Sequence, residues 1–249
     1  MEHWRRARFI PNLPLGRQGE SITGSRQHIE LSKKAAEEGM VLLKNKDNLL
    51  PLAKGSRIAL FGKGTVDYVK GGGGSGDVIV AYTRNLYEGF CALEDSASVF
   101  PDTVEFYQEK MQKQYALGRA PGMTVEPRLP EELLKKAAAY ADIAIISISR
   151  FSGEGWDRKC KSDIEAMDKS APESHFDMPS LGAQIFKNSD FYLTEAEMEM
   201  VKNVKTYFKK IVVVLNVGGM VDTIVGQLSR QFSFKNIINR YRLTVTVCG

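Results

Sequence analysis

The fold is decided by a short apolar stretch, Ile211-Val212-Val213-Val214-Leu215-Asn216-Val217. Its Val-Val-Val-Leu run is apolar on both faces of a strand, which is typical of strands covered by helices on both sides. A helix is predicted directly before it, over residues 194–210, because Thr194 and Glu197 have the spacing of a capping box. The stretch therefore predicts a helix that leads into a doubly covered strand.

The same succession of helix and strand occurs twice more in the chain. A helix with proline at its start is predicted over 130–140, and an apolar strand follows over 141–149. An amphipathic helix is predicted over 28–44, and a short strand follows a Leu-Pro-Leu turn at 57–61. This alternation predicts the α/β class, with a mostly parallel sheet flanked by helices. The strands at 57–61, 141–149 and 211–217 are expected to be central and close neighbours.

Three segments leave the carboxyl ends of these strands. They are residues 62–78, 150–158 and 216–222. Because open α/β sheets bind ligands beyond the carboxyl ends of their strands, we expect the three segments to meet at one edge.

The first segment contains a glycine-rich loop, Gly71-Gly72-Gly73-Gly74-Ser75-Gly76. Five glycines in six positions allow backbone N–H groups to approach a ligand closely. The loop lacks the P-loop signature and the dinucleotide fingerprint, which argues against a phosphate site. A contact with sugar hydroxyls and a flexible loop without function both remain open at this point.

The second segment is Ser152-Gly153-Glu154-Gly155-Trp156-Asp157-Arg158. Glu154 lies between two glycines shortly after a strand, so its loop has the freedom to direct a carboxylate into a cleft. The indole of Trp156 is able to desolvate a neighbouring carboxyl group and raise its pKa toward that of a general acid. A plain surface loop is an equally open interpretation of the pattern alone.

Taken in order, several segments resemble the second domain of glycoside hydrolase family 3. The resemblance covers roughly residues 30–222, and it is specific because the motifs follow one another in the order of the family. The motifs are AAEEGMVLLKN at 35–45, LLPL at 49–52, IALFG at 58–62, GSGDV at 74–78, SGEG at 152–155, DRK at 157–159 and VVLNVGG at 213–219.

The resemblance implies an (α/β)6 sandwich domain of a retaining, β-glucosidase-like enzyme that acts on a β-linked glucoside or related oligosaccharide. In this family a TIM-like barrel supplies an aspartate nucleophile and most of the sugar-binding residues. Glu154 corresponds to the general acid/base of the family, and Ser75 to a serine that lies near the sugar. Gly74 and Trp156 are the other expected substrate-binding residues. The resemblance implies no cofactor and no metal.

The chain departs from the family pattern at both ends. Residues 1–25 are rich in proline, glycine and arginine and are interpreted as an N-terminal arm, followed by the sandwich domain over 26–223. No barrel pattern is found, so we expect a relative with reversed domain order and no nucleophile in this chain. Residues 224–249 lack the later motifs of the family. We expect this tail to be divergent through truncation or a frameshift, to leave the sandwich incomplete at its C-terminus, and to pack poorly.

Composition excludes several other functions. Among 249 residues, 34 basic and 30 acidic side chains are interspersed and give a net charge of +4, which does not favour binding to nucleic acid or membranes. Three widely spaced cysteines and the lack of an apolar leader predict a cytoplasmic protein. The alternatives to a hydrolase domain are a non-catalytic module that binds carbohydrate or docks a partner, and a nucleotide-binding domain, which the missing fingerprints disfavour.

Overall fold

The computed structural model describes residues 24–69, 80, 82–93, 97–151, 182, 185–222 and 242–248. In these ranges the α-helices are α1 (Arg26–Gly39), α2 (Leu86–Cys91), α3 (Pro101–Ala116), α4 (Glu131–Tyr140) and α5 (Glu195–Tyr207). The strands are β1 (Val41–Asn45), β2 (Ser56–Phe61), β3 (Ala97–Val99), β4 (Ile143–Arg150), β5 (Lys210–Val217) and β6 (Arg242–Cys248).

These strands form one mixed sheet in the order β1-β6-β5-β4-β2-β3. The pairs β2–β3, β2–β4 and β4–β5 are parallel, while β5 and β6 are antiparallel. Because β1 is parallel to β6, these two strands run opposite to the other four. The predicted α/β class with a mostly parallel sheet is confirmed.

Strand β4 is the centre of the parallel part of the sheet. It pairs with β2 from Ile58↔Ile143 onward and with β5 over its whole length. All eight of its residues are buried. The three apolar segments that the sequence places at the centre are therefore adjacent and parallel, as predicted.

Alternate residues of the central strands pack into two separate cores. On one face, the side chains of Phe61, Ile146 and Val213 pack with residues of α4 and α5. On the other face, Ile58, Leu60 and Ile145 pack with Val104 of α3 and with residues of α2. Helices thus cover both faces of the sheet, which explains why these strands are apolar on both sides.

The helix predicted over 28–44 is wrong in its last five residues. Helix α1 ends at Gly39, and Val41–Asn45 forms β1 instead. The partner of β1 is β6, whose paired residues lie about two hundred positions later in the chain, and local periodicity cannot reveal such a partner. The chain also divides into two compact units at this point, so that α1 belongs to one unit and the sheet to the other.

The expectation of poor packing for residues 224–249 is wrong for the backbone of β6. Arg242–Cys248 pairs with β5 from Ile211↔Cys248 to Val217↔Arg242, and with β1 on its other side. This part of the tail therefore lies inside the sheet. The domain boundaries at 25 and 223 stay predictions.

Candidate functional site

The carboxyl ends of β2, β4 and β5 lie at one edge of the sheet because the three strands are parallel neighbours. The described chain continues from β2 as far as Val69 and from β4 as far as Phe151. The predicted site residues Gly74, Ser75, Glu154 and Trp156 lie outside the described residues. Their arrangement therefore stays a prediction, and the structure describes the base from which their two segments depart.

The segment after β2 begins with a tight turn that requires glycine at its first position. Gly62 has a φ of 89°, and a Cβ atom there would lie 2.3 Å from the carbonyl oxygen of Ser147 in β4. A short 3-10 turn, Lys63–Thr65, follows and is fully buried. The turn thus packs directly against the middle of β4.

A buried lysine anchors this turn to the segment before α4. The Lys63 ammonium group donates to the carbonyl oxygens of Gly122 and Thr124, at 3.2 and 2.5 Å, and lies 3.9 Å from a carboxylate oxygen of Asp67. Asp67 in turn accepts hydrogen bonds from Gly122 N–H and from the Tyr115 and Thr124 hydroxyls. Burial lowers the pKa of Lys63, and the nearby Asp67 carboxylate opposes this effect.

A buried carboxyl group, Glu126, lies on the other side of the turn. Its two oxygens accept from the backbone N–H of Lys63 at 2.7 Å and from the Tyr107 hydroxyl at 2.8 Å. The Tyr107 oxygen also accepts from Gly62 N–H at 2.7 Å. Burial raises the pKa of Glu126 to about 7, although both hydrogen bonds favour its ionised form.

The end of β4 is fixed by a buried ion pair between Arg150 and Glu197 of α5. Both terminal nitrogens of the guanidinium group donate to the carboxylate at 2.7 Å, in a bidentate arrangement. The side chains of Arg150 and Glu197 are 1% and 2% exposed. Burial alone would raise the pKa of Glu197, but the Arg150 guanidinium holds it below its ordinary value.

Glu197 also completes the cap of α5. Its Oε2 atom accepts from Thr194 N–H at 2.8 Å, and the Thr194 hydroxyl accepts from Glu197 N–H at 3.2 Å. The predicted capping box is confirmed. The second role of Glu197, as the partner of Arg150, cannot be predicted from the spacing of the capping motif.

Sequence reasoning missed the other buried charges at this edge, Lys63, Asp67 and Glu126. Each is matched by partners about 60 positions away, such as Glu126 for Lys63 and Thr124 for Asp67. No local pattern marks such a residue as buried. Arg150 did carry a signal, because it is a charged residue directly after an uninterrupted run of apolar and small residues at 143–149.

Within the described ranges, no group of three or more histidine, cysteine, aspartate or glutamate residues is placed to hold a metal ion. None of the helices in those ranges is long and apolar enough to span a membrane.

Comparison with known proteins agrees with this architecture. Residues 40–231 match the family model for the glycosyl hydrolase family 3 C-terminal domain. The chain therefore belongs to this family.

Two relatives illustrate the extent of the match. The chain is 58% identical over 223 residues to β-glucosidase A from Butyrivibrio fibrisolvens, which covers 90% of this chain and 26% of the relative. It is 31% identical over 202 residues to a β-glucosidase from Ruminococcus albus, covering 78% of this chain and 18% of the relative. The chain thus spans about a quarter or less of these relatives.

A solved structure shows the same fold. β-Glucosidase 3B from Thermotoga neapolitana, in complex with α-D-glucose, superimposes with a TM-score of 0.60 at 30% sequence identity. The match covers 87% of this chain and 26% of that protein.

Proposed function

We propose that this chain supplies the general acid/base, Glu154, to a retaining β-glucosidase-like hydrolase that cleaves terminal β-glycosidic bonds. The observation that carries the proposal is the shared edge of β2 and β4. Two parallel, adjacent strands end there, and the segments with Ser75 and Glu154 follow them. The names of the relatives, all β-glucosidases, support a β-linked glucoside as substrate.

In the proposed reaction Glu154 acts twice. It first protonates the oxygen of the leaving group while an aspartate attacks the anomeric carbon and forms a covalent glycosyl-enzyme. It then accepts a proton from the water molecule that releases the sugar, with retention of configuration. In retaining enzymes the two carboxyl groups lie ~5–5.5 Å apart.

The proposal divides the site between two domains. The nucleophile would come from a TIM-like barrel domain outside this chain, which would pack against the carboxyl edge of the sheet. Gly74 and Ser75 would contact sugar hydroxyls, and Trp156 would exclude water from the Glu154 carboxyl group and keep its pKa high enough for an acid. We retain the cytoplasm as the proposed compartment, because three widely separated cysteines do not suggest a disulfide framework.

The test requires a barrel, which a chimera provides. The matching quarter of Butyrivibrio fibrisolvens β-glucosidase A would be replaced by this chain, and Glu154→Ala introduced. We expect hydrolysis of cellobiose to fall by ~10²–10⁴-fold, because its leaving group needs a proton. Hydrolysis of an activated dinitrophenyl glucoside should lose much less in its first step, and azide should partly restore turnover by attacking the intermediate without a base.

The matched control is Glu132→Ala, which removes an exposed carboxylate of α4 that pairs with Lys135. It should leave both substrates unaffected. If Glu154→Ala keeps cellobiose hydrolysis within a few-fold of the parent chimera, the assignment is wrong. If the chimera binds glucose but its rate of hydrolysis does not depend on Glu154, the result would favour the alternative of a non-catalytic carbohydrate-binding module.

A further inference from the structure

Arg150 contacts both ends of the connection between β4 and α5, the connection that contains Glu154. This connection leaves β4 at Phe151 and returns to the described chain before α5. The Nε atom of Arg150 donates to the carbonyl oxygen of Asp190 at 2.9 Å, and Nη2 donates to that of Tyr192 at 3.1 Å. One side chain therefore joins the start of the connection to its end.

All five N–H donors of this guanidinium group have acceptors. Beyond the two carbonyl oxygens and the two oxygens of Glu197, Nη1 donates to the carbonyl oxygen of Ser149 at 2.8 Å. The group also stacks over the ring of Phe186, 4.7 Å from its centre. A planar, fully engaged guanidinium fixes direction as well as distance, which a lysine ammonium group cannot reproduce.

From this arrangement we infer that Arg150 and Glu197 form a positioning pair for the proposed acid/base, because they fix the backbone from which the Glu154 segment departs. The inference rests on the proposed function of Glu154. Both side chains are almost completely buried, so the pair does not contact the sugar and acts through the backbone that it fixes. The carbonyl group of Arg150 extends this link to the third strand, since it accepts from Gly218 N–H after β5 at 3.2 Å.

The energetics of buried ion pairs support a geometric role. Removing two charges from water costs about as much as their attraction returns, and apolar residues of similar volume often replace such pairs without loss of stability. The contribution of the Arg150–Glu197 ion pair is therefore to fix geometry and not to increase stability. Reacting groups displaced by about 1 Å lose up to ~10²-fold in rate, so a small rotation of the start of the connection is sufficient to reduce proton transfer.

The kinetic test uses the chimera with Arg150→Lys, which retains the charge, and Glu197→Gln, which retains the shape. We expect kcat/KM for cellobiose to fall by ~10–100-fold with little change in KM, while kcat/KM for the dinitrophenyl glucoside stays within about threefold. The matched control is Val204→Ala, which opens a cavity at a fully buried residue of the same helix and leaves the ion pair intact. It should lower stability without changing the ratio of the two rates.

A spectroscopic test uses this chain itself. The sequence has two tryptophans, so Trp4→Phe leaves Trp156 as the single reporter within the Glu154 segment. Arg150→Lys should change the emission and the acrylamide quenching of Trp156, whereas Val204→Ala should not. If Arg150→Lys does not fold, Glu197→Gln replaces it in both the kinetic and the fluorescence assay.

The outcomes separate this inference from the proposed function. If Glu154→Ala discriminates between the substrates but the pair variants reduce both rates equally or not at all, the positioning role is overturned and the acid/base assignment stands. If Glu154→Ala itself has no effect, the proposed function fails. In that case unchanged Trp156 spectra in the pair variants would overturn the structural part of the inference as well.

Discussion

The buried carboxyl group of Glu126 predicts a specific dependence of stability on pH. Its pKa rises from an ordinary value of 4.5 to about 7 in the folded chain, chiefly because burial penalises the charged form. A carboxyl group with a raised pKa stabilises the fold fully below its unfolded pKa, and this contribution is lost as the pH rises through the folded pKa. The free energy of unfolding should therefore fall between about pH 4.5 and about pH 7.

The size of the effect follows from the two pKa values. A difference of about 2.5 pH units, at ~1.36 kcal/mol per unit, amounts to about 3 kcal/mol when ionisation is complete. Most of this change develops between about pH 5 and about pH 8. Glu197 does not oppose this change, because its pKa lies below its ordinary value and its own contribution is already complete above that value.

The assay is urea denaturation of the chain and of its Glu126→Gln variant across this pH range. The amide retains the shape of the side chain but does not titrate, so the difference in unfolding free energy between parent and variant isolates the carboxyl group. We expect this difference to move by about 2–3 kcal/mol in favour of the variant from about pH 5 to about pH 8. The variant also loses an acceptor for either Lys63 N–H or the Tyr107 hydroxyl, but that loss does not change with pH over this range.

The matched control is Glu131→Gln at the start of α4. The side chain of Glu131 is exposed, and its hydrogen bond with Lys135 lowers its pKa below 4.5. A lowered pKa contributes stability that is already complete above the unfolded value, so the difference between parent and control should stay constant over the same range. A Glu126→Gln difference that is equally constant, within ~0.5 kcal/mol, would refute the argument from burial.

Two further predictions concern the backbone at this edge. Gly62→Ala should destabilise the chain by ~3 kcal/mol or more in urea denaturation, because the new methyl group meets the carbonyl oxygen of Ser147. The control Gly118→Ala, at a similar φ of 85° but in open space, should lower the free energy of unfolding by only ~1 kcal/mol. An equal loss for both variants would show that the clash is relieved. Thr194→Ala should lower the free energy of unfolding by ~1 kcal/mol through loss of the α5 cap, and Thr194→Ser should retain most of it. Equal stability of alanine and serine would contradict the cap.

The sequence predicts those parts of the fold that local chemistry determines. The strands β2, β4 and β5 are visible because both faces of each are apolar, and the start of α5 is visible because Thr194 and Glu197 mark a cap. Helix α3 carried a usable signal that the sequence reasoning did not use. Its buried residues Thr103, Val104, Tyr107 and Met111 recur at helical spacing after a proline at the first position.

The remaining parts depend on partners that are distant in sequence. Val41–Asn45 forms a strand because β6 pairs with it, and without that partner its leucines continue the periodicity of the preceding helix. The same holds for the buried charges. Lys63 is an ordinary surface residue by composition, and it becomes a buried anchor through Thr124 and Glu126 on a segment that follows α3.

The distribution of charge differs between the two edges of the sheet, and this difference supports the site proposed at the carboxyl edge. Among the described residues, the ion pair at the amino edge, Arg57 with Asp142, is 53% and 64% exposed. Such a pair is worth at most ~1 kcal/mol. The carboxyl edge instead buries Arg150 with Glu197, and Lys63 with Asp67. Because a buried charge costs several kcal/mol unless every partner is in place, this edge tolerates little change in geometry. The proposed catalytic role of Glu154 would require a rigid base of this kind, and the segment with Glu154 begins at this edge.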